Sequence, residues 1–267
     1  MLDSIVNLKG RFLSGLLLLC CYLTVQAHEV SVFVGQERWL YREFSPSNDE
    51  LDREQGWLSG FEAAALFSVN QRNKIYLLYA FQNDALDYVG ATQIGAPHQT
   101  KTDETTHKNI ATWRYYLDNT YLGFGGQYQS WDRKIRAANR VKHLDEFYRW
   151  FGLVLEMGWF KQYKGLKLEV TGSAASLNGD LVVDLTHVDL NKPKLYLKDG
   201  YEVGATLQLS YQLAEQWRIQ LKHQQGYRYF PETDFVTDRR GNKQSTLNEP
   251  ESKNYFQGYW VGLNYQF

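Results

Sequence analysis

The chain ends Gln257-Gly258-Tyr259-Trp260-Val261-Gly262-Leu263-Asn264-Tyr265-Gln266-Phe267, with an apolar or aromatic side chain at nearly every odd position. Glycines, polar residues and Trp260 occupy the even ones. A period of two sends odd side chains to one face of a β-strand and even ones to the other. This segment is therefore a strand with one greasy and one mostly polar face, and the fold depends on what the greasy face meets.

The same alternation recurs up the chain. Trp217, Ile219 and Leu221 oppose Arg218, Gln220 and Lys222, and only Ala214-Glu215-Gln216 separates them from the preceding segment. There Val203, Ala205, Leu207, Leu209, Tyr211 and Leu213 oppose Glu202, Gly204, Thr206, Gln208, Ser210 and Gln212. Paired segments of this kind run from Phe151 to Trp159 and Leu166 to Val170, Trp113 to Leu117 and Leu122 to Tyr128, and Phe61 to Val69 and Ile75 to Phe81. With a less regular first segment from Val30 to about Phe44, ten strands are expected, eight or twelve being the other even counts. The interruptions alternate between tight turns, such as Asp118-Asn119 and Lys161 to Lys164, and long loops near 45–56, 83–108, 131–146, 176–199 and 231–253.

Residues 1–27 carry Lys9 and Arg11, the apolar run Leu13 to Val25, and the ending Val25-Gln26-Ala27. This reads as a secretory signal cleaved before His28, leaving 28–267 as one domain. Its apolar core is short for a transmembrane helix, no later stretch approaches 18 unbroken apolar residues, and mean hydropathy is -0.49. A helical membrane protein is excluded, whereas a barrel passes because its apolar residues alternate with polar ones. Both cysteines, Cys20 and Cys21, lie in the expected signal, so no disulfide is expected. A lipoprotein would acylate one of them, but Leu17-Leu18-Leu19-Cys20 lacks the small residue expected before the cysteine. Without residues 1–27 the chain holds 27 basic and 29 acidic residues, which gives nucleic acid no basic surface. Aromatic content is high, at 19 Tyr, 14 Phe and 8 Trp, as girdles at two membrane interfaces would require.

An alternating strand that closes on an aromatic resembles the C-terminal insertion signal of bacterial outer-membrane β-barrels, with Tyr265 and Phe267 at its aromatic positions. The resemblance implies an all-β fold: a single closed antiparallel transmembrane barrel in the outer membrane, with short periplasmic turns and long extracellular loops. It also implies a monomer that meets outer-membrane lipid and is inserted by the barrel-assembly machinery. A soluble β-sandwich or lipocalin-like barrel alternates too, but its second face would meet water. Here that face carries Gly123, Gly125, Gly204, Gly258 and Gly262, which suits a crowded interior.

The inward register collects Glu62, Glu156, Glu169 and Glu202 with Arg114, Lys167, Arg218 and Lys222. A ten-stranded tube is barely wider than one whose side chains fill it, so these charges are expected to pair into a plug. A general porin is disfavoured, and a narrow channel would need the charges segregated by sign. In the third loop Arg133, Lys134, Arg136, Arg140 and Lys142 outnumber Asp132, Asp145 and Glu146, which suggests contact with lipopolysaccharide phosphates. The first loop, with Asp49, Glu50, Asp52 and Glu54 against Arg53, is acidic.

The ten-strand count and long outer loops are similar to the omptins, outer-membrane proteases with the active site in the extracellular mouth. That resemblance implies an Asp-Asp couple facing an Asp-His couple across a shared water, and the chain offers Asp84 and Asp87 on one loop and Asp184 and His187 on another. The spacings depart from the family's Asp-x-Asp and Asp-x-His, since two residues separate each couple here. A lipid A hydrolase would need a serine beside a histidine, and His223 has none within two residues. His98, His107 and His143 lack metal-ligand spacing, so no metal and no cofactor are expected. The function expected is a noncatalytic surface-binding or structural barrel, with an omptin-like protease, a lipid A-modifying hydrolase and a narrow channel as alternatives.

Overall fold

Local chemistry fixes the tight turns. The Asn70 carboxamide oxygen accepts from the backbone N–H of Arg72 at 3.0 Å and of Asn73 at 2.9 Å, closing an Asx turn. Asp118 and Lys164 take left-handed backbone angles, φ 49° and 51°, as two-residue hairpins demand, so the turn sought at Lys161 to Lys164 contracts to Lys164-Gly165. The computed structural model describes residues 27–91, 97–138, 141–188, 190–241 and 243–267; the expected signal, 1–27, lies almost wholly outside them.

These turns join ten long antiparallel strands: β1 (Ala27–Phe44), β2 (Glu50–Ser68), β3 (Asn73–Ala91), β4 (Pro97–Leu117), β5 (Thr120–Ile135), β6 (Leu144–Tyr163), β7 (Leu166–Asp184), β8 (Lys194–Gln212), β9 (Trp217–Phe230) and, after a hairpin, β12 (Glu251–Gln266). The hairpin is β10 (Val236–Arg240) with β11 (Lys243–Leu247). Pairing of β1 with β12 closes the barrel, and closure satisfies every edge, which is what lets a sheet cross lipid. The expected ten-stranded closed architecture holds.

Strand length is the main departure. A strand needs about 9–11 residues to cross the hydrocarbon, whereas these run from 14 to 21. Much of what was expected as loop is strand: β3 runs on to Ala91, β4 begins at Pro97, β5 reaches Ile135, β6 begins at Leu144 and β7 reaches Asp184. The reason is a change of polarity with height. In the half nearer the short turns, apolar side chains point out, as with Phe151, Leu153, Leu155 and Met157 on β6, where Leu153 is 75% exposed. In the half nearer the long loops, outward residues such as Lys101, Asp103 and Lys134 are polar. There the apolar ones turn inward: Trp39, Tyr41, Leu58, Trp131, Tyr148, Trp150, Leu181, Leu195 and Leu197 pack into a core. The lower half is a membrane barrel and the upper half packs like a water-soluble one.

On β8 the inversion requires a bulge. Leu177 pairs Gly200 but Gly179 pairs Leu197, so Lys198 and Asp199 together oppose one residue of β7. Both point outward, and Asp199 sits at φ 54°. Below the bulge Glu202 and its alternates face in, and above it Leu195 and Leu197 do.

Candidate functional site

The lumen of the lower half is occupied by charge pairs. Glu62 contacts Lys222, which lies over the rings of Phe33 and Trp260. Arg114 Nε donates to Glu156 at 2.9 Å while its guanidinium lies 3.7 Å from the Tyr76 ring centroid and 4.7 Å from that of Tyr121. Gly158 makes room for this stack, since a Cβ there would sit 2.1 Å from the Tyr121 ring. Lys167 and Glu169 pair at 2.8 Å. Glu202 is held by Lys108 at 2.5 Å and by Arg228 Nη2 at 2.7 Å, neither of which the sequence reading included. Arg218 departs from the expected set: it is half-buried near the short turns, with no carboxylate at ion-pair distance among the described residues. Lys108 and Arg228 share the inward parity of Arg114 and Lys222, so extending those strands upward would have found them.

Higher, beyond the level of the outward aromatics Trp57, Tyr128, Tyr227 and Tyr255, a second group surrounds Arg133. This side chain, only 2% exposed, reaches four carboxylates: Glu43 at 2.9 Å, Asp52 at 3.1 Å, Glu54 at 2.9 Å and Glu146 at 2.7 Å. Thr102 donates to Glu54 at 2.8 Å, and the Trp131 indole to Glu104. Trp131 stacks on Tyr148 at 4.5 Å and meets Trp39 and Tyr41 edge-on, so the cluster is roofed by aromatic rings. Burial pushes the carboxyls of Asp52, Glu104 and Glu146 above the usual range, and neighbouring carboxylates push the same way. Burial also opposes the charge of Arg133, but the acids around it win and hold it ionised. Arg133 is thus no lipopolysaccharide contact, and Asp52, Glu54 and Glu146 are not solvated loop acids. Of the other third-loop cations, Arg136 pairs with Asp103 and Lys142 donates to the His187 carbonyl; Arg140 lies outside the described residues.

The four protease candidates are not brought together. Asp84 and Asp87 lie in strand β3 instead of a loop; Asp84 takes a 3.3 Å bond from Ser59, and Asp87 faces out toward Lys101 at 3.5 Å. Asp184 ends β7 on the outward parity, opposite to the buried Leu181 and Val183. Hydrogen bonds from Lys192 and Thr186 hold its carboxyl down to about 2. His187, in a single 3-10 turn, packs its ring on His143 at 4.9 Å, with no hydrogen bond to Asp184. His223 lies on the outer wall, stacked on Tyr259 and bonded to the Gly258 carbonyl. Among the described residues no group of three ligand-type side chains could hold a metal ion.

No protein-family model matches the chain, and no curated protein matches it. Solved structures do. The outer membrane protease OmpT from Escherichia coli superposes with a TM-score of 0.67 at 10% identity, over 92% of this chain and 99% of that one. More distant are the translocator domain of the autotransporter NalP from Neisseria meningitidis, at TM-score 0.43 and 12% identity over 99% and 97%, and the Pseudomonas putida toluene transporter TodX, at 0.35 and 8% over 91% and 90%. At such identities the likeness to OmpT concerns the fold. With its closed ten-stranded wall and exposed apolar belt, the protein is an integral β-barrel of the bacterial outer membrane that shares its barrel fold with OmpT.

Proposed function

We propose that this protein is a closed, noncatalytic barrel whose outer half is a rigid pedestal for surface binding by its loops. One observation supports this reading above others: buried side chains occupy the interior at both levels, opposed charge pairs below and, above, an aromatic and aliphatic core packed around the Arg133 cluster. A channel needs a continuous polar path, and charges of opposite sign in contact remove the field that would select an ion. A mouth protease needs its acids and base facing one space, whereas Asp84 and Asp87 lie in β3, Asp184 ends β7 and His187 sits in the 3-10 turn beyond it. Tyr265 and Phe267, outward at the short-turn end, remain the proposed assembly signal, and Tyr265 packs edge-on against Trp217 at 4.9 Å.

The test is single-channel recording of the purified, folded barrel in a planar bilayer. No stepwise conductance is expected for the native protein. A stable, ion-selective conductance would overturn the plugged-barrel reading. The same preparation, incubated with a library of short peptides, should release no fragments.

A further inference from the structure

The last outer segment carries a two-stranded hairpin that packs on the upper core. Among the described residues strand β10 pairs with β11 alone, and no ladder joins the hairpin to the wall. Its attachments among the described residues include side-chain and backbone contacts. Val236 and Leu247 pack on the upper core, Asn191 grips Asp238 at 2.8 and 2.9 Å, and Arg240 reaches the Leu190 carbonyl at 3.4 Å. At the hairpin's base Thr233 and Glu249 exchange two hydrogen bonds, of 2.9 and 2.8 Å. This closes the segment's neck and drives the Glu249 side chain inward, where the residue is 4% exposed.

What Glu249 meets there is decisive. Its Oε1 lies 2.8 Å from the Tyr148 hydroxyl and 3.1 Å from that of Tyr41. Each hydroxyl also touches a second carboxylate: Tyr41 to Glu43 at 2.9 Å, and Tyr148 to Glu146 at 3.2 Å. Four oxygen–oxygen contacts thus share two phenolic hydrogens, because a tyrosine has one to give. Further hydrogens must come from carboxyl groups. Glu43 and Glu146 take charge-assisted bonds from Arg133 Nη1, whereas Glu249 has no cation in contact among the described residues. One proton on Glu249 Oε1, given to Tyr41, lets Tyr41 donate to Glu43 and Tyr148 to Glu249, leaving only the 3.2 Å contact unbridged.

We propose that Glu249 is a proton-operated latch: protonated, it ties residues 231–250 to the mouth, and its ionisation releases them. Ionised, it would face Glu43 of β1 and Glu146 of β6 across two phenols, with Arg133 of β5, which also binds Asp52 and Glu54 of β2, as the opposing cation among the described residues. Burial first, and then Glu43 and Glu146, push the Glu249 carboxyl well above its ordinary range. The closed form therefore binds more protons than the open one. Closure is fully stable below the ordinary glutamate value and weakens as pH rises through the raised one.

Hydrogen exchange of the folded full-length barrel tests this, read as protection relative to the intrinsic rate so that the pH dependence of exchange itself cancels. Peptides covering 231–250 should lose at least tenfold protection between pH 5 and pH 9, while β6 peptides keep theirs. Glu249→Gln, neutral at every pH, should abolish that loss. Should this variant not fold, Tyr148→Phe supplies the second arm and should lower lid protection several-fold at pH 5. Flat protection in the native protein, an identical fall in Glu249→Gln, or an equal loss in β6 would each overturn the latch.

Discussion

Arg133 is the side chain on which the outer half turns. It satisfies four acids at once, and those acids come from β1, β2 and β6, so one guanidinium ties together strands that are not neighbours. Removing one partner from a buried ion cluster costs about 3–5 kcal/mol, because the charges left behind are uncompensated. Arg133→Met should therefore lower the barrel's resistance to guanidinium by that order at pH 7. The penalty should shrink at pH 4, because acids whose values burial has raised, such as Asp52 and Glu146, can take up protons and cease to repel. Denaturant midpoints of both proteins at the two pH values check this, and a pH-independent penalty would contradict it. None of this cluster was legible as a site. Asp52, Glu54 and Arg133 looked like loop residues of opposite sign on separate loops, because the outward face around them is polar and the lipid-facing alternation has stopped. The lower pairs Glu62–Lys222 and Arg114–Glu156 could be found, since their strands alternate cleanly on both sides of them.

Among the elements, β8 shows how a single backbone residue changes what a strand can do. Without the bulge at Lys198 and Asp199, the parity that buries Glu202 would turn Leu195 and Leu197 outward. The sequence carries the clean alternation from Glu202 to Leu213 and also the apolar pair above it, but nothing in a period-2 reading joins the two. The signal was Asp199-Gly200, a pair suited to a left-handed step, which was absorbed into an expected loop. A left-handed conformation costs a residue with a Cβ about 1–2 kcal/mol, least for Asp and Asn and most for β-branched side chains. Asp199→Gly should leave the denaturant midpoint unchanged or raise it, and Asp199→Val should lower it by roughly 1–2 kcal/mol. Equal stability of the two variants would mean that the bulge does not hold this φ in solution.

At the scale of the whole molecule, the chain solves two solvation problems with one continuous sheet. Near the short turns the surrounding medium is apolar, so the wall is apolar outside and the charges turn inward to pair. Near the loops the medium is aqueous, so the wall is polar outside and apolar side chains turn inward, packed around the buried Arg133 cluster. The reversal explains why the strand count was readable while strand length was not, because the count needs only the belt. It also makes a prediction about position that fold alone does not. An arginine facing hydrocarbon at mid-belt costs about 2–4 kcal/mol and close to nothing near the interface. Leu155, 65% exposed at the centre of the β6 belt, and Thr105, outward in the upper part of β4, are positions on the same kind of strand in different solvents. Leu155→Arg should therefore cost about 2–4 kcal/mol, and Thr105→Arg should stay within about 0.5 kcal/mol of the native protein. Reversible unfolding in lipid vesicles measures both. If Thr105→Arg proved as costly as Leu155→Arg, the hydrocarbon would have to extend over the upper half, and the two-level account of the barrel would fail.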